Sequence, residues 1–393
     1  MEKNLASVAN KRICICVLTN SVSGTERVAA DLCLHLISVG AKVSLVIPEG
    51  DSLDLYAEHL SSIGAAVTRI APIAGDKISS LNPANFLQAL RHFQRYNPDV
   101  IHFHCPSFKW GLEVICAAAL RRHRIVRTEH NPLMSRPSFP YLQAIRTIDR
   151  SITRFTYVSE GNQARWESYL PKRRNRGTVV HNSVAVGSFG RADESARAAF
   201  RAEYSLPAST KLAIGVVSGR YGRRPVSPLI EALSKLRQDP STTNIAKQWE
   251  LFLVGDTKEI YEKGAEKLSF VHPLGYRNDI PRLFGLCDLF VGASHFEGLS
   301  ISMLEAWASG LPVLSTKVDG IEDVIGTNLA RVAMAAHGDV GAFAEKWYNF
   351  MSDRQIGDQQ VVLASAVVSK DFLLSAMLGK YLSIYCDLIS AKQ

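Results

Sequence analysis

The feature that most limits what this 393-residue chain can fold into is a punctuated apolar block between Asp288 and Thr316. Asp288 to Gly292 carries the short apolar run of a buried strand. A glycine-containing loop follows. Ser302 to Ser309 has the composition of a helix, which Gly310 stops and Pro312 closes off. Val313 to Thr316 is then a second strand. Strand, helix and strand in so short a span form one βαβ unit, which commits the chain to a parallel sheet.

Two carboxylates lie in that unit with seven residues between them. Glu297 falls in the loop at the carboxyl end of the first strand, and Glu305 one turn into the helix. Open α/β sheets bind ligands in the crevice outside the carboxyl ends of their strands. A helix start leaves backbone N–H groups without intrahelical partners, so the amides of Leu299, Ser300, Ile301 and Ser302 offer a seat for an anion, with Gly298 beside them for the donor. A phosphate seat flanked by two hydroxyl-binding carboxylates suits a sugar nucleotide. The spacing alone fits equally well a glutamate that caps a helix and a second on its solvent face.

The same alternation runs through the rest of the chain. Strands are expected at Arg12 to Leu18, Lys42 to Ile47, Ala66 to Ile70, Pro98 onward, Arg124 to Thr128, Phe155 to Ser159, Lys211 to Ser218 and Trp249 to Gly255. Helices are expected at Thr25 to Val39, Asn82 to Tyr96, Glu160 to Tyr169, Asp193 to Tyr204, Val226 to Arg237, Pro281 to Cys287, Val340 to Met351 and Asp371 to Ser390. So many residues exceed one core and imply two domains. The first strand, loop and helix are Rossmann-like but lack Gly-x-Gly-x-x-Gly, so no dinucleotide cofactor is indicated. Lys172-Arg-Arg-Asn-Arg176 is a compact basic run that reads as a solvated loop or as a face for anionic lipid headgroups.

The segment Glu297-Gly-Leu-Ser-Ile-Ser-Met-Leu-Glu305-Ala-Trp-Ala-Ser-Gly-Leu-Pro-Val resembles the Glu-x7-Glu signature of family 4 of the retaining glycosyltransferases. The resemblance continues in Ser23-Gly-Thr-Glu-Arg27, in Gly177-Thr-Val-Val-His-Asn-Ser-Val184, in Gly219-Arg-Tyr-Gly-Arg-Arg-Pro225 and in Leu274-Gly-Tyr-Arg-Asn-Asp279. It implies the α/β GT-B fold: two Rossmann-like domains facing a central cleft, with the C-terminal helix crossing back to the first. The expected division is 1–188 for an acceptor-binding domain, 189–370 for a nucleotide-sugar domain and 371–393 for the returning helix. The resemblance also implies retaining, metal-independent transfer of a sugar from a UDP- or GDP-linked donor to an acceptor hydroxyl. His104, at a strand end, would orient the sugar. Glu297 would hold a sugar hydroxyl and Glu305 the ribose. Arg220 and Arg224 would clamp the diphosphate, with Gly24 and Thr25 beside it. Gly275 and Tyr276 would lie against the base, and Glu129-His130-Asn131 would face the acceptor. The sequence departs from the family at Ser23, Ser183 and Asp319, where glycine is usual, and at Arg224-Pro225, where Lys-Gly is usual.

Composition bears on partners. Seven cysteines without a Cys-x-x-Cys, and no Asp-x-Asp, indicate neither a disulfide framework nor a metal site. No apolar run approaches the ~20 residues that cross a bilayer, and Met1 to Arg12 is polar, so a cytoplasmic protein is expected. The net charge of +8 is one-sided: residues 1–188 hold 23 Lys and Arg against 14 Asp and Glu. An uneven basic surface favours an anionic partner, so a glycan or lipid-linked acceptor at the inner face of the cell membrane is expected, in the synthesis of envelope polysaccharide, capsule or lipopolysaccharide. No nucleic-acid partner is expected. A soluble small-molecule acceptor, or a protein that binds sugar nucleotides without turnover, are the alternatives.

Overall fold

The computed structural model describes residues 7–20, 24–73, 82–107, 110–217 and 223–391. The chain divides into two compact units, Met1–Asn182 with Leu374–Gln393, and Ser183–Leu373.

In the first unit seven parallel strands, β1 (Arg12–Val17), β2 (Lys42–Pro48), β3 (Ala66–Ile70), β4 (Val100–Cys105), β5 (Ile125–Glu129), β6 (Arg154–Tyr157) and β7 (Gly177–Val179), lie in the order β3-β2-β1-β4-β5-β6-β7. β1 and β4 are fully buried apart from Arg12, as strands covered on both faces must be. Asn82 caps the helix Pro83–Tyr96 by accepting from the Ala84 N–H, and Pro83 sits where its missing N–H costs nothing. The core gathers Phe93, Phe103, Phe155, Tyr157 and Trp166.

The late helix Leu374–Ser390 belongs to this first unit, as the returning helix was expected to. Tyr381 and Tyr385, one turn apart, are fully buried on it. The Tyr385 hydroxyl is 2.6 Å from His102 Nδ1, and the Tyr381 hydroxyl 3.2 Å from Thr128 Oγ1. His102 Nε2 lies 2.7 Å from the same threonine hydroxyl. Every polar atom the helix brings to β4 and β5 therefore finds a partner, which buried polar groups require.

In the second unit six parallel strands, β8 (Lys211–Val217), β9 (Trp249–Gly255), β10 (Val271–Gly275), β11 (Leu289–Gly292), β12 (Val313–Thr316) and β13 (Met334–Ala335), lie in the order β10-β9-β8-β11-β12-β13. Val271–Gly275 pairs as an edge strand, which was not expected from the sequence; the pairing shifts register between Pro273 and Gly275. A proline is tolerated at a sheet edge or bulge. The helix Arg354–Asp371 was not expected from the sequence. Its Gln360 amide accepts from the Trp307 indole at 3.3 Å and donates to the Val313 carbonyl at 3.0 Å, which seats it against the helix Ile301–Ala308 and β12. Among the described residues no helix is long and apolar enough to cross a membrane.

Candidate functional site

In both sheets the strand order reverses beside the first strand, between β1 and β4 and between β8 and β11. A crevice opens at the carboxyl ends at such a point. Gly24 and Thr25 follow β1, His104 lies in β4, Arg224 follows β8 and Glu297 follows β11, whereas His130 and Asn131 follow β5 and Gly275 and Tyr276 lie at the end of β10.

In the second unit the loop after β8 carries Arg223 and Arg224, and the loop after β11 carries Glu297. Arg220 lies outside the described residues. Arg224 donates from Nε to Glu297 Oε1 at 2.6 Å, and Arg223 Nη2 lies 3.9 Å from Oε2. The Ser294 hydroxyl donates to Oε1 at 3.1 Å. The two loops are tied by the backbone as well, through the His295 N–H and the Arg223 carbonyl at 2.8 Å. Thr316, at the end of β12, donates to the Ser294 carbonyl at 2.6 Å. Burial by itself would raise the Glu297 pKa, but the two guanidinium groups outweigh it and hold the carboxyl at about 2. Glu297 is thus an acceptor-only carboxylate throughout the physiological range.

Three residues on, Ser300 precedes the helix Ile301–Ala308 in an extended conformation and makes no side-chain capping bond. Its hydroxyl meets that of Ser302 at 3.1 Å instead. The helix that follows Arg224, Ser227–Gln238, is different. Glu259 accepts from the Val226 N–H at 3.2 Å and from the Ser227 hydroxyl at 2.7 Å, so a protein carboxylate already occupies the start of that helix. Glu305 is buried one turn into the helix Ile301–Ala308. Gly298 and Leu299 are buried under Gly320, which has φ +84°, and a Cβ there would stand 2.8 Å from the Gly298 carbonyl oxygen. Only glycine lets the two loops come this close. Arg223, Ser294, Thr316 and Gly320 were not singled out from the sequence. The doubled arginine and the serine three residues before Glu297 were the available signals.

Gly275 ends β10 with φ +66°, and Tyr276 next to it is 83% exposed. Arg277 pins this loop with two 2.7 Å bonds to Asp279, whose pKa those bonds lower to about 2.

In the first unit Gly24 and Thr25 open the helix Gly24–Ser38, Thr25 being buried. His104 is fully buried near the end of β4, with Nδ1 3.0 Å from Nε2 of His130. His104 Nε2 has no hydrogen-bond partner among the described residues. Burial, then the neighbouring His102 and His130, push the His104 pKa well below its ordinary value, and burial lowers that of His130 to about 3, so both rings are neutral near pH 7. Asn131 donates to the Pro106 carbonyl at 2.7 Å and accepts the Trp166 indole on its own carbonyl at 2.9 Å.

Glu129 stands apart from its two neighbours. Its carboxylate lies 3.0 Å from Arg127 Nε and 2.8 Å from Arg173 Nη1, all three residues being buried. Arg173 also makes two 2.7 Å bonds to Asp149 and lies over the rings of Phe155 and Trp166, 4.1 and 4.5 Å from their centroids. The basic run Lys172–Arg176 is therefore not one solvated face. Arg173 points into the core and Arg176 donates to the Asp149 carbonyl, while Lys172 and Arg174 remain outside. Two guanidiniums and two carboxylates balance in charge, which is what permits their burial.

Comparison with known proteins agrees with this layout. The family model described as Glycosyltransferase Family 4 matches residues 22–187, and the model Glycosyl transferases group 1 matches residues 213–353. The lipopolysaccharide glucosyltransferase WaaG of Escherichia coli is 38% identical over 108 residues, 26% of this chain and 28% of that protein. N-acetyl-alpha-D-glucosaminyl L-malate synthase of Bacillus anthracis is 25% identical over 201 residues, 48% of each. The chain thus spans about half or less of the length of these curated relatives. The structure of Anabaena HepE in complex with UDP and glucose superposes with a TM-score of 0.75 at 19% identity, covering 96% of this chain and all of that one. The two family models together take in most of both units, and on this ground the chain belongs to glycosyltransferase family 4 and has the two-domain GT-B fold.

Proposed function

We propose that the protein transfers a sugar, with retention at the anomeric carbon, from a nucleoside-diphosphate donor to an acceptor hydroxyl in the synthesis of a cell-envelope glycan. One observation carries the reading. At the switch point of the second sheet, a buried carboxylate held ionised by two arginines stands three residues before a helix start that no side chain caps. A sugar with a diphosphate leaving group needs those two features side by side. Charge grows on the diphosphate as the glycosidic bond breaks, and preorganised guanidiniums and amides stabilise it. Arg224 and Arg220 are the proposed clamps, with the backbone of Gly298, Leu299, Ser300 and Ile301; Gly24 and Thr25 are proposed as donor-binding residues of the first unit. Glu297 accepts from a sugar hydroxyl and Glu305 from the ribose. The backbone of Gly275 and the ring of Tyr276 lie against the base. The HepE complexes with UDP support a uridine donor.

His104 is proposed to turn its unpartnered Nε2 to the transferred sugar. His130 and Asn131 shape the acceptor side, and Glu129 fixes their backbone from within the core. A front-side path, with the leaving phosphate taking the acceptor proton, needs no carboxylate on the far face of the sugar and no metal ion. The acceptor is proposed to be lipid-linked and met at the inner face of the cell membrane. The likeness to WaaG supports this, as do the excess of positive charge in residues 1–188 and the stretch after β5, where Met134 and Arg136 in the loop and Phe139 at the start of the next helix are exposed. The partial likeness to the malate synthase keeps a soluble small acceptor as the second reading.

The test is a panel of UDP- and GDP-sugars, scored for nucleoside diphosphate release and for the anomer of the product. Donor binding without release would make the chain a binding protein. A β-linked product from an α-linked donor would rule out retention. Co-sedimentation at low salt with anionic but not with neutral liposomes is expected of a peripheral enzyme.

A further inference from the structure

The first unit holds a cavity of about 740 Å³ that plays no part in the reading above. It opens at the amino ends of β1, β4 and β5, whereas His104 and the acceptor-side residues sit at the carboxyl ends. With strands of this length the two places lie about 17–20 Å apart along the sheet. Lys11, Arg12, Arg121, Arg122, His123 and Arg124 line the cavity, and among the described residues Asp99 is the one carboxylate that joins them.

The acid is already engaged. Asp99 accepts from the Arg12 N–H at 2.9 Å and lies 3.7 Å from its guanidinium. Arg124 spends a donor on the Ile389 carbonyl, the end of the returning helix, at 3.3 Å. Lys11, Arg121 and Arg122 meet no carboxylate among the described residues. Cations gathered this closely repel one another, and a solvated surface would spread them. Here three short connections hold them together.

The backbone makes the same point independently. Among the described residues four that are not glycine have left-handed φ: Asn10 (+63°), Asn97 (+42°), Arg122 (+53°) and Ser205 (+56°). Asn97 and Arg122 line this cavity, and Asn10 stands between two residues that do. Asparagine tolerates that conformation; arginine rarely takes it, and glycine or asparagine at position 122 would relieve it. Arg122 directly follows the cap of the helix Leu112–Leu120, a place that glycine or asparagine usually takes, and here a cation stands in it.

We propose that this cavity binds a phosphate-rich anion, at a site separate from the donor and acceptor sites. Guanidinium forks suit phosphate oxygens, the volume falls in the range of small-molecule sites, and the polar lining excludes an apolar ligand. The same chemistry fits a soluble polyphosphorylated metabolite and the headgroup of an anionic lipid, and the experiment separates these sources.

The full chain is titrated calorimetrically with sodium tripolyphosphate and, at equal ionic strength, with sodium sulfate. In parallel it is sedimented with phosphatidylglycerol or phosphatidylcholine vesicles. The variant is Arg121→Ser with Arg122→Asn, which removes two cations and relaxes the backbone, so its Tm should hold or rise. Binding of tripolyphosphate at least tenfold tighter than sulfate, and at least tenfold weaker in the variant, would establish a site for a soluble anion. Sedimentation with phosphatidylglycerol that the variant loses, without tripolyphosphate binding, would assign the cavity to lipid. If both ligands bind the variant as they bind the natural chain, or if neither binds the natural chain, the proposal is overturned. None of these readings depends on sugar transfer.

Discussion

Replacing Arg173 by methionine tests the claim that the basic run Lys172–Arg176 serves the core more than the surface. The side chain is buried. It makes three charge-assisted bonds of 2.7–2.8 Å, two to Asp149 and one to Glu129, and it lies between two aromatic faces. Methionine fills much of the volume and keeps contact with Phe155 and Trp166, so the loss is electrostatic. Glu129 keeps Arg127, but Asp149 loses the guanidinium chelate that Arg173 gives it and stays buried. Removing one partner of a buried ion pair costs roughly 3–5 kcal/mol because a charge is left uncompensated. For a unit of this size each kcal/mol moves the midpoint by about 2–4 °C, so the first unit should melt roughly 6–20 °C earlier. Differential scanning calorimetry measures this, with the second unit's transition as internal control. Adding Asp149→Leu should recover part of the loss, since it removes the stranded charge. A midpoint within 2 °C of the natural chain, or a double variant worse by the sum of both losses, would refute the reasoning and return the run to the surface.

Further outcomes follow from the same geometry. Glu297→Gln removes the carboxylate that Arg224 and Arg223 hold ionised, and a lost charged hydrogen bond of about 1.5–3 kcal/mol should slow turnover on the order of 10–100-fold; unchanged turnover removes Glu297 from the site. Tyr276→Ala should weaken donor binding by about fivefold or more if the ring stacks on the base, and equal affinity by calorimetry would show that it does not. The folded-state pKa values of His102, His104 and His130 lie below that of an unfolded histidine, near 6.5, so as pH falls below that value the unfolded chain binds more protons. Stability is therefore fullest above pH 6.5 and falls as pH drops, by up to ~1.4 kcal/mol per unit for each ring. Urea midpoints that stay flat from pH 7 to 5.5 would contradict neutral burial, and His130→Gln should make the slope shallower.

The parts of the fold that show in the sequence are those governed by local rules. Ala66–Ile70, Glu160–Tyr169 and Val313–Thr316 carry their own boundaries, because apolar runs, caps and breakers act within a few residues. Val271–Gly275 was not legible, since pairing at an edge is decided by a neighbour and not by the segment. The helix Arg354–Asp371 lacks a clear apolar stripe; what seats it is Gln360 meeting Val313, 47 residues away. At the site, Glu297 and Arg224 were each legible, but the ion pair between them depends on β8 and β11 being neighbours. Glu129 misled for the same reason. It sits at a strand end like its neighbours His130 and Asn131, and only the path of the chain to Arg173 shows its carboxylate engaged inward.

The helix Leu374–Ser390 also sets an order of assembly. β4 and β5 leave the ribosome early, but the hydroxyls that meet His102 and Thr128 are on Tyr385 and Tyr381, which are synthesised after the whole intervening unit Ser183–Leu373. The later-encoded unit can therefore finish first, while the earlier one waits with an uncovered imidazole and threonine on its sheet. A nascent chain halted before Leu374 should display that gap to chaperones, and supplying the helix as a separate peptide should close it.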